Sequence, residues 1–397
     1  MKKQFGAAFL LAGTAIGSGM ISLPMVLAKF GIINTCAIMI FFAILTYLTA
    51  LVRSDLNLNL YAEATLKDVG KAFDCHWAGI FGNFLLVLLH FALMSAYLFG
   101  FSSILCSFFG NIVSQSIVIA LSAIGVALGF LFAPHFIINI NKYLFILMFF
   151  IFIVLVIELF FETQIHIIPR CAEKIKINEW TTLVPIIFTS FGFQGSIHSM
   201  TKFCNNDRKM IKNACLWGSI VPALVYIIWT VAILLVVANT DAHFFQLMLD
   251  GKANDVGKLV TVLSNAASSQ SIQIIVWIVS ILAILTSVLG VGLALMDIFR
   301  QEWQETSKYK IVGLVVFAPA AVSMLVPNAF IRILNVSGVI LSLIAIVVPV
   351  IISLKMQRLG KATKCELLLK NKFVIFGVFA CGVMIISLGI LDLVNSL

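Results

Sequence analysis

Two places in this sequence expose backbone chemistry inside otherwise apolar runs. Gly13-Thr14-Ala15-Ile16-Gly17-Ser18-Gly19-Met20 interrupts a hydrophobic stretch that ends at Pro24, and Phe191-Gly192-Phe193-Gln194-Gly195-Ser196 interrupts another. Each Gly weakens a helix by about 1 kcal/mol relative to Ala, so two or three together let it unwind. In an apolar medium the freed N–H and C=O groups need partners, and such a stretch persists only where it lines a protein or water cavity. The chemistry on offer is polar and non-covalent. A half-helix start presents N–H donors to an anionic group, and glycine leaves room for a bound solute to approach the backbone. Isolated glycines in apolar helices serve close helix contact equally well. The matched placement of the two breaks is what favours a binding site.

Few side chains in the apolar runs titrate. They are His90, His198, Glu158 and Asp297. The two histidines have the range to carry a proton near neutral pH, against the alternative of a hydrogen-bonded packing role. Glu158 and Asp297 lie near the ends of runs and read as solvated. Thr286 and Ser287 set two hydroxyls side by side, for an ion or for ordinary bonding to helix carbonyls. There is no HExxH motif, no pair of carboxylates within a run and no Ser/His/Asp order that would meet in one cavity, which speaks against an enzyme. Repeated pore loops and charged rings, the marks of a channel, are also missing. The eight cysteines form no CxxC pair and suggest neither a metal centre nor a disulfide framework. No cofactor motif occurs.

The elements that must position these residues are membrane helices. Of the 397 residues, 61% are hydrophobic and only 11% charged, and the mean hydropathy is +1.11. A soluble core cannot hide that much apolar surface. Runs long enough to cross a bilayer, about 20 residues each, predict helices over residues 5–28, 32–52, 77–107, 112–133, 143–162, 181–202, 213–238, 271–297, 311–326, 333–354 and 373–393. The breaks fall in the first and sixth of these. Two units opening on matching interrupted helices are the pattern of an inverted-repeat carrier with a midplane site. The repeats are expected over 1–162 and 181–354, with an extra helix at 373–393, in one transmembrane domain. Lys2 and Lys3 precede the first run, which reads as a retained helix, not a cleaved signal. The longest gaps are 54–76 and 239–270. The second holds a helical pattern at 257–266, either a lid or a passive loop.

The formal net charge of +9 is topological. With the N-terminus inside, most of the 26 Lys and Arg, among them Lys2, Lys3, Arg53, Lys67, Lys71, Lys202, Arg208, Arg300, Lys355 and Arg358, fall on the inner side. The positive-inside rule therefore predicts an inner-membrane protein with its N-terminus in and C-terminus out, whose basic excess faces lipid and cytoplasm and not nucleic acid.

At its breaks the chain resembles the hydroxy and aromatic amino acid permease family, and within it the tyrosine-specific permeases. The residues that carry the likeness are Gly13 to Pro24, Ile186-Ile187-Phe188-Thr189-Ser190-Phe191-Gly192-Phe193-Gln194-Gly195-Ser196, and Ser287-Val288-Leu289-Gly290-Val291-Gly292-Leu293-Ala294-Leu295-Met296-Asp297. The resemblance implies a LeuT-type fold, five plus five helices in inverted repeats and one more, with proton-driven uptake of tyrosine or a related aromatic amino acid, tryptophan or phenylalanine. It makes the first break, Thr14, Ala15, Ile16, Gly17, Ser18, Gly19, Met20 and Ile21, the contact for the substrate's charged ends. N–H groups at Gly19, Met20 and Ile21 suit a carboxylate, and carbonyls at Ala15, Ile16 and Phe191 suit an ammonium. Phe191, Phe193 and Tyr97 are candidate walls for the ring, Gln194 or Ser196 is the candidate for polar contact with a substrate hydroxyl, and Gly192 and Gly195 complete the second break. Where such permeases resemble related carriers in having a lysine on the fifth helix, this chain has Met148. The coupling alternatives are then a proton on His90 or His198, sodium held by Thr286 and Ser287 with carbonyls of Gly13 and Ile16, or uncoupled exchange by a carrier of different selectivity.

Overall fold

The computed structural model describes residues 2–395 except 18, 62–63, 163–164, 173–174, 176, 254, 267–269, 304, 327–328 and 362–370. Side chains at 2–5, 9–10, 134, 162, 177–178, 198–199, 301 and 329 also lie outside the description. The described residues contain helices and no strands.

The first interrupted run forms α1 (Lys2–Ala15) and α2 (Gly19–Leu27), the latter running through a 3-10 turn at Ala28–Phe30. Gly31 then turns the chain with φ 67, a left-handed value open to glycine, into α3 (Gly31–Leu58). A surface helix α4 (Leu66–Ala72) precedes α5 (His76–Phe108), α6 (Gln115–Phe130) and α7 (Pro134–Glu162). The second interrupted run forms α8 (Ile177–Ser190), a 3-10 turn at Gln194–Ser196 and α9 (Ile197–Phe203). Beyond it come α10 (Arg208–Thr240), the short pair α11 (Ala242–Leu249) and α12 (Val256–Ala266), α13 (Gln270–Glu302) and α14 (Lys308–Leu325). One further pass is α15 (Ala329–Ser342) continued by a π turn at Leu343–Val347 into α16 (Val348–Arg358), and α17 (Lys372–Asn395) closes the chain.

Counting each interrupted helix once, the chain crosses eleven times, as the apolar runs predict. Eight of the helical segments are long and apolar enough to span a bilayer by themselves. Their outward faces carry exposed Phe150, Phe161, Phe317 and Phe376, the surface that lipid covers. The largest boundary difference is in α7, which starts at Pro134, not 143. Asn139, Asn141 and Lys142 lower the hydropathy of this turn without interrupting helical geometry.

Polar side chains fix the helix starts outside the apolar runs. Thr65 and Asp68 form a capping box at α4. Burial alone would raise the Asp68 carboxyl, but hydrogen bonds from the Thr65 hydroxyl and amide outweigh it and hold it below the ordinary carboxylate range. Asp207 and Asp241 cap α10 and α11. Buried Arg53, near the end of α3, donates to Asn57 Oδ1 at 2.6 Å and to the Ala64 carbonyl at 3.0 Å, tying α3 to the segment before α4.

Two groups of helices position the breaks. α10 packs along α1, α2 and α3; α5 packs along α13, α14, α15 and α12. On the side where α2 ends and α8 begins, here termed the far side, α8 packs extensively on α15 and α17, and Lys29 pairs with Glu179 at 2.8 Å. On the near side, where α1 begins, α1 packs on α10 and α9, and α9 also on α3, with no extensive contact to α5 or α13 among the described residues. α12 is held in place: Asp255 Oδ1 accepts from Ser103 of α5 at 2.9 Å, and Trp277 of α13 donates to Ser264 at 3.1 Å. A Cβ on Gly257 would strike Ser107 Oγ and the Ser103 carbonyl, so α12 lies directly on α5. This is a docked segment of the far side.

Candidate functional site

α1 ends at Ala15 and α8 ends at Ser190, and their C-terminal carbonyls meet at one group, the hydroxyl of Tyr226 on α10. That hydroxyl lies 2.7 Å from the Ala15 carbonyl and 3.0 Å from the Ser190 carbonyl. The Tyr226 ring is fully buried and stands edge-on to Phe191, with centroids 5.4 Å apart. Gly19, which opens α2, presses against the same group. A Cβ there would come within 2.6 Å of the Tyr226 hydroxyl and 2.7 Å of Ser190 Cβ. Two helix ends with negative dipole character and one helix start with positive character thus converge on one buried point.

Further contacts hold the first break from outside. Trp229, one turn after Tyr226, donates its ring N–H to the Met20 carbonyl and packs on Phe152 of α7. Gly17 abuts α13 so closely that a Cβ would collide with Ser287 Oγ. The Met20 amide donates to the Gly17 carbonyl at 3.0 Å, and the Ile16 amide to Ala12 at 2.9 Å. Ile16, Met20 and Ile21 are buried. Thr14 is exposed and donates to the Leu11 carbonyl at 2.8 Å, and a Cβ on half-buried Gly13 would lie 3.7 Å from the Phe145 ring of α7. Ser18 lies outside the described residues.

The second break is closed by its own backbone. The Gly192 amide donates to Thr189 at 2.9 Å, Phe193 to Phe191 at 3.0 Å and Ser196 to Phe193 at 2.9 Å. Phe191 and Phe193 are buried at its core, and Tyr97 of α5 is 8% exposed. Gln194 turns toward α3, where its Nε2 donates to Thr49 Oγ1 at 3.1 Å and its buried Oε1 has no partner among the described residues. Gly195 is exposed, a Cβ there would meet Leu86 of α5 at 4.0 Å, and Ser196 is half-buried.

Of the ionisable candidates, His90 is half-buried one turn beyond Leu86, and its Nδ1 meets the Leu86 carbonyl at 2.7 Å. A carbonyl only accepts, so Nδ1 carries the hydrogen and Nε2 is the position a further proton would take. The His198 side chain lies outside the described residues. Asp297 is exposed. Thr286 and Ser287 both donate to the Ala283 carbonyl, at 3.1 and 3.0 Å, which gathers three oxygens on α13 beside Gly17. Met148 is buried and brings no charge.

The structure therefore brings together Ala15, Gly17, Gly19, Met20, Phe191 and Ser287. It sets Thr14, Gln194 and Gly195 apart from the Tyr226 hydroxyl. Sequence reading misses Tyr226 and Trp229 because both sit in an uninterrupted apolar helix, where an aromatic is usually core.

A family model described as the tryptophan/tyrosine permease family matches residues 1–389. The chain belongs to the tryptophan/tyrosine permease family. The permease is 27% identical to tyrosine-specific transport system 1 of Haemophilus influenzae, over 90% of this chain and 89% of that one. It is 29% identical to glutamine transporter 2 of Aliivibrio fischeri, with 87% of each chain covered. It is 24% identical to the tryptophan-specific transport protein of Pseudomonas aeruginosa, over 88% of this chain and 85% of that one. Among solved structures it is similar to a manganese transporter of Eremococcus coleocola, with TM-score 0.65 and 12% identity over 98% of this chain and 85% of that one. That likeness shows the fold. The permease is a multi-pass membrane transport protein of LeuT-type architecture, not an enzyme.

Proposed function

We propose that the permease imports an aromatic amino acid, tyrosine ahead of tryptophan or phenylalanine, across the cytoplasmic membrane by proton symport. The observation that carries this reading is the convergence of three half-helix ends on one buried point lined by Phe191 and Tyr226. In this reading the N-terminal end of α2, from Gly19 to Ile21, faces the substrate carboxylate. The carbonyl ends of α1 and α8 face its ammonium, and Phe191, Phe193 and Tyr97 wall the ring. The names of the tyrosine and tryptophan relatives support an aromatic substrate. The inverted repeats run over 1–162 and 181–354 with 373–393 outside them, and the near side is the cytoplasmic one. A membrane-impermeant maleimide should therefore label exposed Cys171, which lies between α7 and α8, in intact cells. Labelling only after lysis would reverse the orientation.

His90 bears the coupling proton in this reading. A second reading, sodium coupling, is favoured by the three oxygens of Ala283, Thr286 and Ser287 beside Gly17 and by the uncharged Met148. Proteoliposomes with clamped membrane potential separate the two. Accumulation of labelled tyrosine under a pH gradient alone, lost in His90→Gln, supports the proton; accumulation that requires sodium and fails in Ser287→Ala supports sodium. Competition by tyrosine, tryptophan and phenylalanine but not by leucine, serine or glutamine is the result expected for selectivity. Glutamine competing better than tyrosine would overturn the aromatic assignment.

A further inference from the structure

Tyr226 raises a question of donor supply. Ala15 and Ser190 are the last residues of α1 and α8, so their carbonyls belong to the set a helix leaves without an internal partner. Both lie within hydrogen-bond distance of the Tyr226 hydroxyl. A hydroxyl has one proton to donate, so it serves the two acceptors one at a time. Each carbonyl also carries the negative end of its helix dipole. A primary ammonium has three N–H donors and a positive charge, and it would satisfy both carbonyls at once.

The position of Gly19 extends the argument. The start of α2 favours an anionic group, and the Tyr226 hydroxyl lies where a Gly19 Cβ would come within 2.6 Å of it. An α-amino acid carries its ammonium and carboxylate on one carbon, so the two charges must bind side by side. The ends of α1 and α8 on one side and the start of α2 on the other have that juxtaposition, and Tyr226 fills it.

We propose that the Tyr226 hydroxyl occupies the substrate's ammonium position in the empty permease and is displaced when an α-amino acid binds. This rests on the breaks being the amino-acid site, and it adds which atom marks the ammonium and that binding is an exchange of donors. Until exchange, Tyr226 ties the ends of α1 and α8 together. A solute without an ammonium cannot take over both carbonyls and leaves the hydroxyl in place.

The test is equilibrium binding of labelled tyrosine to the purified full-length protein, wild type against Tyr226→Phe. The variant keeps the aromatic ring beside Phe191 and removes the competing donor. Binding should tighten about three- to ten-fold, the size of one net hydrogen bond no longer displaced. The desamino analogue 3-(4-hydroxyphenyl)propanoate should show no such gain. Unchanged or weaker tyrosine binding by folded Tyr226→Phe overturns the proposal, because a hydroxyl that contacts substrate directly, or serves only the fold, gives one of those results. Where Tyr226→Phe does not fold, 3-fluorotyrosine placed at position 226 of the otherwise native chain gives the reading. Its fluorine resonance should move on saturation with tyrosine and stay with the desamino analogue, and no movement with tyrosine overturns displacement. If wild type binds glutamine and not tyrosine, the aromatic reading fails, and the same comparisons with labelled glutamine decide the exchange. Failure of wild type to bind any α-amino acid overturns both.

Discussion

The two breaks solve the same problem in different ways. At the first, the freed backbone groups are met by other helices: Tyr226 at Ala15, Trp229 at Met20 and Ser287 against Gly17. At the second, successive turns satisfy much of the backbone locally while Tyr226 also reaches the Ser190 carbonyl, and a Cβ on exposed Gly195 would touch only Leu86 among the described residues. The first break is thus shaped by tertiary contact on several sides, whereas the second keeps a free face toward α5. Glycine has a steric role in both, since a Cβ on Gly17 or Gly19 would strike Ser287 or Tyr226 and one on Gly192 would strike Leu341 and the Thr189 carbonyl. The near-side elements, α1 and α9, share this asymmetry, since among the described residues neither packs extensively on α5 or α13 while α8 is clasped by α15 and α17. A carrier needs one half of its site anchored and the other able to move.

Substitution at Gly19 should have the largest effect. A leucine there must displace Tyr226 and Ser190 together, and uptake of labelled tyrosine should fall to background in a membrane-inserted protein. Transport at the wild-type rate would show that the first break has more room than its contacts indicate.

Next in size is Trp229→Phe. It keeps an aromatic ring near Phe152 and removes the donor to the Met20 carbonyl, leaving a buried acceptor that costs about 1–3 kcal/mol. The expected outcome is a clear fall in the melting temperature of the purified protein. An unchanged melting point would mean that Met20 finds another donor.

A smaller response is expected from Gln194→Leu. It gives up one bond to Thr49 but also removes an Oε1 that is buried without a partner among the described residues. The two changes oppose each other, so stability should stay within about 1 kcal/mol and tyrosine uptake should persist. Loss of uptake with stability intact would return Gln194 to the substrate pocket and make the second break more like the first.

Gly195→Ala should do least, because the new methyl meets only Leu86 Cδ1 at 4.0 Å. Uptake within about twofold of wild type is expected, the nearest contact being an ordinary van der Waals one. A large loss would show that this free face closes tightly on α5 during transport.

Reading from sequence works best where the physics is local. Bilayer thickness demands long apolar runs, so the eleven passes and the place of both glycine breaks can be read residue by residue. The start of α7 is missed because Asn139, Asn141 and Lys142 depress hydropathy, while helix formation depends on backbone geometry that those residues permit. The direction of Gln194 is missed for another reason. Its partner, Thr49, lies 145 positions away on α3, and no local pattern reports which side of the turn a side chain will take.

Composition, run length and glycine spacing alone determine that this is an all-helical membrane protein with interrupted first and sixth helices, since the bilayer acts on each run independently. The motifs within those runs determine its family. Only the tertiary structure decides which groups meet the freed backbone. Tyr226 and Trp229 look in sequence like two more aromatics on an apolar helix, and they acquire their roles because α10 packs beside α1 and α2 and carries Tyr226 to the ends of α1 and α8. A helix end without an internal partner must be satisfied by whatever folding brings to it, and that partner is set by the packing of distant segments.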